Sequence, residues 1–111
     1  MERNDEITNV TAADFDREVL ESATPVLVDF WAPWCQPCRV IAPVMNSLAA
    51  EYGERLKVIK VDVDDNASLA AEYHVRSIPT VMLFAEGAVR ESFVGTRPPQ
   101  VYREAIDALL R

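Results

Sequence analysis

The 111-residue sequence is poor in the side chains that most often hold metals, with two cysteines and one histidine. A closed zinc site takes four cysteine or histidine ligands, and Cys35, Cys38 and His74 supply at most three. Two cysteines so close in sequence also close almost no loop, so a disulfide between them would add little to the stability of the fold. The pair therefore predicts chemistry rather than a structural role, and we expect no bound metal.

Glycine, clustered basic residues and long apolar runs are also scarce. The three glycines form no G-x-G-x-x-G motif, so we expect no nicotinamide or flavin bound to this chain. The formal net charge is -7 and no lysine and arginine cluster is present, which argues against a nucleic-acid partner. No apolar run reaches the length of a membrane span, so we expect no membrane partner. The charged start, Met1 to Glu6, lacks the apolar core of a secretory signal and predicts a cytoplasmic protein, although a processed precursor would fit the same sequence.

The hydrophobic residues that are present suit one domain of mixed α and β structure, residues 1–111. Half of the sequence is hydrophobic, which is enough for a single core at this length. The order of the predicted elements is β-α-β-α-β-α-β-β-α, with the last two strands joined by a tight turn at Glu86-Gly87. This order predicts a three-layer α/β/α fold around a mixed five-stranded sheet. Strands are predicted at 6–10, 25–31, 56–63, 79–84 and 88–94, and helices at 11–22, 35–52, 66–73 and from 98 onward.

Capping signals mark several helix ends. Thr11 to Asp14 has the form of a capping box, which predicts that the Thr11 side chain caps the first helix. Asn66 or Asp65 is the predicted cap of the third helix, and Gly53 is the predicted C-terminal cap of the second.

Cys35 and Cys38 stand where a buried strand meets a helix. Residues 25–31 are almost continuously apolar, as in a strand buried on both faces, and the next helical pattern opens at Cys35. Unpaired backbone N–H groups and the helix dipole stabilise a thiolate at such a helix start. Cys38 lies one turn further on, and we expect it to be deeper and less exposed. The positions predict that Cys35 attacks a partner's disulfide and that Cys38 resolves the mixed disulfide, with Pro37 stiffening the first turn.

The segment Val-Leu-Val-Asp-Phe-Trp-Ala-Pro-Trp-Cys-Gln-Pro-Cys-Arg, residues 26–39, resembles the active-site segment of the thioredoxin family at all positions but one. The family usually has glycine where this chain has Gln36, in the active-site loop that Gln36 and Pro37 form. The resemblance runs from about Val10 to Leu110 and implies the thioredoxin fold. It also implies a protein-disulfide reductase that carries electrons to client proteins. Further matching segments are Ile41-Ala42-Pro43, residues 60–64, Ile78-Pro79-Thr80 and Gly95.

Asp29 is a charge inside an apolar strand, so it must be paired, hydrated or protonated, and Lys60 is the candidate partner. An internal ion pair with no further role would fit the residues alone. The resemblance implies instead that Asp29 exchanges a proton with Cys38 and that Lys60 modulates this exchange.

A client-docking surface is also implied by the resemblance. The pattern alone fits a trans proline at the start of a strand, whereas the resemblance implies a cis bond before Pro79, with the Ile78 backbone free to pair with an extended client segment. Scattered exposed apolar side chains are common on proteins, but here they would form a rim around Cys35. The rim residues are Trp34, Ile78, Val94 and Gly95, and together with Pro79 they are the predicted substrate-binding residues.

The implied partners are client proteins with disulfides and a separate thioredoxin reductase that supplies electrons from NADPH, or else a ferredoxin-dependent reductase. We expect a monomer. A disulfide oxidant or isomerase is a rival function, against which the missing signal and the uncharged Gln36-Pro37 pair argue. A binding module without redox turnover is the other rival, and the joint presence of both cysteines, Asp29 and Pro79 argues against it.

Overall fold

Five strands form one mixed sheet in this computed structural model, which describes residues 7–111. The strands are β1 (Thr8–Asn9), β2 (Val26–Trp31), β3 (Lys57–Asp62), β4 (Thr80–Ala85) and β5 (Ala88–Val94). Their order across the sheet is β1-β3-β2-β4-β5. β3 is parallel to β1 and β2, and β4 is antiparallel to β2 and β5. The mixed sheet and its terminal hairpin confirm the predicted topology; Glu6, the predicted start of β1, lies outside the described residues.

Four helices connect and cover the strands in the predicted order. They are α1 (Ala12–Phe15), α2 (Gln36–Tyr52), α3 (Ala67–Glu72) and α4 (Pro99–Leu110). A π-helical turn, Asp16–Leu20, continues α1, and a 3-10 turn, Gly53–Arg55, follows α2. Gly53 caps α2 as predicted, with a φ of 56° that suits glycine.

The continuous apolar run of β2 is explained by the two cores that it separates. Leu27 packs on one face of the sheet with side chains of α2 and α4, such as Met45 and Tyr102. Val28 and Phe30 pack on the other face with residues from the α1 region and α3. Because successive side chains of a strand point to opposite faces, a strand between two cores is apolar at almost every position. Asp29 shares the face of Leu27, so it points toward α2 and α4.

The predicted capping of α1 by the Thr11 side chain is wrong. Thr11 occupies the N-cap position, but its side chain makes no capping hydrogen bond. The Asn66 side-chain oxygen accepts from the Ala12 N–H at 2.8 Å instead. Asn66 occupies the N-cap position of α3 without capping it through its side chain. The capping box assigned the Thr11 side chain to the Asp14 N–H, but that N–H donates to the Thr11 backbone carbonyl at 3.0 Å, and the tertiary contact with Asn66 satisfies the Ala12 N–H.

Candidate active site

A disulfide joins Cys35 and Cys38 at the N-terminus of α2, with their Cα atoms 5.3 Å apart. Cys35 is the N-cap residue, and its Sγ accepts a hydrogen bond from the Cys38 backbone N–H at 3.2 Å. Helix starts carry unpaired N–H groups and partial positive charge, so this position favours a thiolate when the pair is reduced.

The expected difference in exposure between the two cysteines is absent from the disulfide form. Each residue is 3% exposed, so the prediction that Cys38 is the less exposed one is wrong here. The two cysteines and Ala32 form one small apolar cluster, with the partly buried Trp31 and Ile78 packed against it. Both cysteines are therefore buried to the same extent in the disulfide form.

The predicted docking residues at the sheet edge lie together. The Ile78–Pro79 peptide bond is cis, as the resemblance implied. The Gly95 N–H donates to the Pro79 carbonyl at 2.9 Å, and Val94 pairs with Thr80 across β4 and β5. Because Ile78 packs against the cysteine cluster, this edge adjoins the disulfide. Val94 is 55% exposed and Trp34 is 67% exposed, so apolar surface is available to a partner.

The Trp34 side chain is held by a hydrogen bond that the sequence did not predict. Its indole N–H donates to Asp64 Oδ2 at 2.7 Å, across 30 positions of sequence. The turn before α2 is also braced by Arg39, whose guanidinium donates to the Pro33 carbonyl at 2.7 Å. No local sequence signal marks Asp64, because the contact depends on β3 ending beside the turn before α2.

Asp29 is buried in β2 and lines the same cleft as Cys38. It is 4% exposed and lies opposite Lys60 on β3 and Val81 on β4. Burial raises the pKa of Asp29 to about 7, and the nearby Lys60 charge acts in the opposite direction. Within residues 7–111 its Oδ1 has no hydrogen-bond partner.

Lys60 forms no direct ion pair with Asp29 in the described part of the chain, contrary to the expected pairing. Its ammonium lies over the Trp31 ring, 4.6 Å from the ring centroid. In this position the half-buried ammonium keeps part of its hydration and gains a cation–π contact. The Lys60 charge is therefore stabilised without an ion pair to the more deeply buried Asp29 carboxyl group. Lys60 therefore acts on Asp29 through its charge at longer range.

Asp29, Cys38 and Lys60 line one cleft, whose volume is about 190 Å³. Water in such a cleft can carry a proton between a carboxyl group and a thiol that do not touch. A larger open groove of about 610 Å³, between Glu18, Lys57 and the C-terminal end of α2, contains no cysteine. The smaller cleft is also lined by Ile7, Trp31, Arg39, Ala42, Met45 and Asn46.

Residues 7–111 contain no group of three or more histidine, cysteine, aspartate or glutamate side chains arranged to hold a metal ion. Among the helices of that same range, none is both long and apolar enough to cross a membrane.

Comparison with known proteins agrees with this geometry. Residues 6–108 match the family model described as Thioredoxin. Thioredoxin 1 of Synechococcus elongatus is 50% identical over 98 residues, which cover 88% of this chain and 92% of the relative. Thioredoxin of Porphyra purpurea is 45% identical over 91% of this chain and 94% of its own length. The chloroplastic M-type thioredoxin of Chlamydomonas reinhardtii is 47% identical over 86% of this chain and 69% of its own length. A disulfide-forming C-x-x-C pair at a helix start, in a chain with these relatives, shows that the protein belongs to the thioredoxin family of thiol–disulfide oxidoreductases.

Proposed function

We propose that this chain reduces the disulfides of client proteins, with Cys35 as the attacking residue, Cys38 as the resolving residue and a separate reductase as the source of electrons. The observation that carries the proposal is the placement of the Cys35–Cys38 disulfide. It lies at the start of α2, beside exposed apolar surface on one side and the cleft of Asp29 on the other.

Two thiol–disulfide exchanges transfer the electrons. The Cys35 thiolate attacks one sulfur of a client disulfide, the client S–S bond breaks, and the first client thiolate leaves as a mixed disulfide forms on Cys35. The Cys38 thiolate then attacks Cys35 Sγ, and the second client thiolate leaves. The client gains two electrons, and the Cys35–Cys38 pair is oxidised to the disulfide seen here.

Asp29 serves as the proton acceptor for Cys38 in the second exchange. The two residues line the same cleft, so water can relay the proton between them. A carboxyl group whose pKa is about 7 is partly ionised near neutral pH, so it can both take and release this proton. Lys60 favours the ionised form through its charge.

Client proteins dock on the apolar rim around the disulfide. Trp34 and Val94 offer exposed apolar area, and Ile78 links this surface to the cysteine cluster. An extended client segment would pair with the backbone of Ile78, beside the place where the Gly95 N–H and the Pro79 carbonyl hold the ends of β5 and β4 together.

The proposal also names the source of electrons, the oligomeric state and the location of the protein. A thioredoxin reductase draws electrons from NADPH and passes them to the disulfide of a monomer, whose single domain spans residues 1–111. The location that we propose is the cytoplasm. Relatives named as chloroplastic make a plastid the alternative location.

Trapping of mixed disulfides tests the two cysteine roles. Cys38→Ser should accumulate a covalent adduct between Cys35 and an oxidised client, because the resolving thiol is missing. Cys35→Ser should accumulate none. Non-reducing electrophoresis followed by mass spectrometry of the linked peptides reads out both results. Adducts that form at least as readily with Cys35→Ser would reverse the assignment.

A further inference from the structure

Two buried side-chain oxygens in residues 7–111 have no hydrogen-bond partner: Asp29 Oδ1 and Tyr102 Oη. Tyr102 belongs to α4 and is fully buried, while Asp29 belongs to β2 and is 4% exposed. Buried polar atoms in folded proteins are nearly always satisfied by protein groups or by ordered water. Each of these oxygens therefore requires a partner.

Both residues occupy the layer between the sheet and the helices α2 and α4. Asp29 is aligned across the sheet with Val81, and Val81 is aligned with Phe93 on β5. The Phe93 ring meets the Tyr102 ring edge-on, with the centroids 5.3 Å apart. Val81, Phe93 and Tyr102 belong to one core cluster. Val81 and Phe93 thus lie between Asp29 and the Tyr102 ring in one row of side chains on this face of the sheet.

The two oxygens have complementary hydrogen-bonding needs. The backbone N–H of Arg97 approaches the Tyr102 hydroxyl closely enough to lower its pKa, although it does not reach hydrogen-bond geometry. The hydroxyl oxygen thus faces a donor, and its own proton remains available. An ionised carboxylate can only accept hydrogen bonds. Burial raises the pKa of Tyr102, and the negative charge of Asp29 acts in the same direction.

We propose that Tyr102 is a positioning residue for proton exchange at Asp29, its hydroxyl donating to one internal water that in turn donates to Asp29 Oδ1. A water in this place satisfies both oxygens, and buried waters typically make two to four such bonds. The bridge stabilises the ionised carboxylate from inside the core, on the α4 side. The inference rests on the proton-acceptor role proposed for Asp29.

The other ionisable groups around Asp29 come from the remaining packed elements. Cys38 and Arg39 line the cleft from α2, and Lys60 lines it from β3. β4 contributes Val81, which does not titrate. Among the described residues of α4, Tyr102 is the ionisable one in the core cluster on the face of Asp29, and removing its hydroxyl leaves the charges in the cleft unchanged.

Tyr102→Phe tests the link because it removes the hydroxyl and keeps the ring. The pKa of Asp29, followed by NMR of its carboxyl carbon in the oxidised protein, should rise by about 0.4 to 1 pH unit when this donor is lost. The matched control is Tyr52→Phe, since the Tyr52 hydroxyl donates to Asp107 at 2.7 Å and lies at the opposite end of α2 from Cys38. It should leave the pKa of Asp29 unchanged. An unchanged or lowered pKa of Asp29 in Tyr102→Phe overturns the proposal.

Two further measurements separate the bridge from the function on which it rests. A high-resolution crystal structure should show one buried water within hydrogen-bond distance of Tyr102 Oη and Asp29 Oδ1, and a dry site overturns the bridge. The pH profile of client reduction should shift in Tyr102→Phe in the direction of the NMR titration, and not when Asp29→Asn is also present. If Asp29→Asn alone leaves this profile unchanged, the proton role of Asp29 and the positioning role of Tyr102 both fail. Even in that case, the NMR titration of Asp29 in Tyr102→Phe shows whether the Tyr102 hydroxyl and the Asp29 carboxyl group are linked.

Discussion

Asp29→Asn measures by how much the buried carboxylate lowers the free energy of unfolding. Burial raises its pKa from 3.8 to about 7, and each pH unit corresponds to about 1.4 kcal/mol. The ionised side chain therefore lowers the free energy of unfolding by about 4 kcal/mol above pH 7. Asparagine has a similar shape without the charge, although its amide also loses contacts with water on burial. We expect the variant to be more stable by about 2 to 4 kcal/mol at pH 8.

The raised pKa of Asp29 also determines how the stability of the wild type changes with pH. The folded state keeps the Asp29 proton to a higher pH than the unfolded state does, so it binds more protons between pH 3.8 and about 7. Wild-type stability therefore falls as the pH rises through this window, whereas the Asn variant lacks the fall. The stability difference between them should grow by about 4 kcal/mol from pH 4 to pH 8.

Urea unfolding of the oxidised proteins at several pH values provides the assay, because neither cysteine titrates while the disulfide is intact. The matched control is Asp65→Asn, which changes the formal charge equally at an exposed position. Its stability should follow that of the wild type at every pH. The reasoning is refuted if Asp29→Asn is less stable than wild type at pH 8, or if their difference is constant from pH 4 to pH 8.

Three further substitutions test other parts of the structure. Gln36→Gly should lower stability by about 0.4 to 1 kcal/mol in urea unfolding, because Gln36 is an exposed residue in the first turn of α2 and glycine has the more flexible unfolded chain. Its redox potential in a glutathione buffer should stay within about 30 mV of wild type, and a change beyond about 60 mV would make this position a determinant of the redox role. Asp64→Asn weakens the hold on the Trp34 indole, so the KM for a client should rise more than kcat falls; equal losses of kcat and kcat/KM would contradict a docking role. Tyr52→Phe should lower stability by about 1 kcal/mol, since the Tyr52 hydroxyl donates to Asp107 between α2 and α4, and unchanged stability would show that this bond contributes nothing.

The sequence predicted the order of the elements because their patterns are local. The apolar run of β2 and the turn at Glu86-Gly87 each depend on neighbouring residues, and both are present in the structure. The C-x-x-C motif likewise has a local meaning, since Cys35 lies at the N-cap of α2. The active-site disulfide was therefore predictable from the sequence.

Contacts between distant segments could not be predicted in the same way. Asn66 accepts from the Ala12 N–H, the first of α1, because the loop before α3 passes the start of that helix. Asp64 holds the Trp34 indole because β3 ends beside the turn before α2. The position of Asp29 in the sequence suggested an ion pair with Lys60, but the Lys60 ammonium contacts the Trp31 ring, two positions further along β2 than its register partner Asp29.

The central claim, that the Cys35–Cys38 pair carries the electrons to client disulfides, is tested most directly by counting them. Reduced wild-type protein is mixed with a client of known disulfide content, and the free thiols of both proteins are titrated over time. One Cys35–Cys38 disulfide should form for each client disulfide reduced. The Cys35→Ser/Cys38→Ser double variant, shown to be folded by circular dichroism, should leave the client oxidised at the background rate. Client reduction by the double variant at the wild-type rate would contradict the claim.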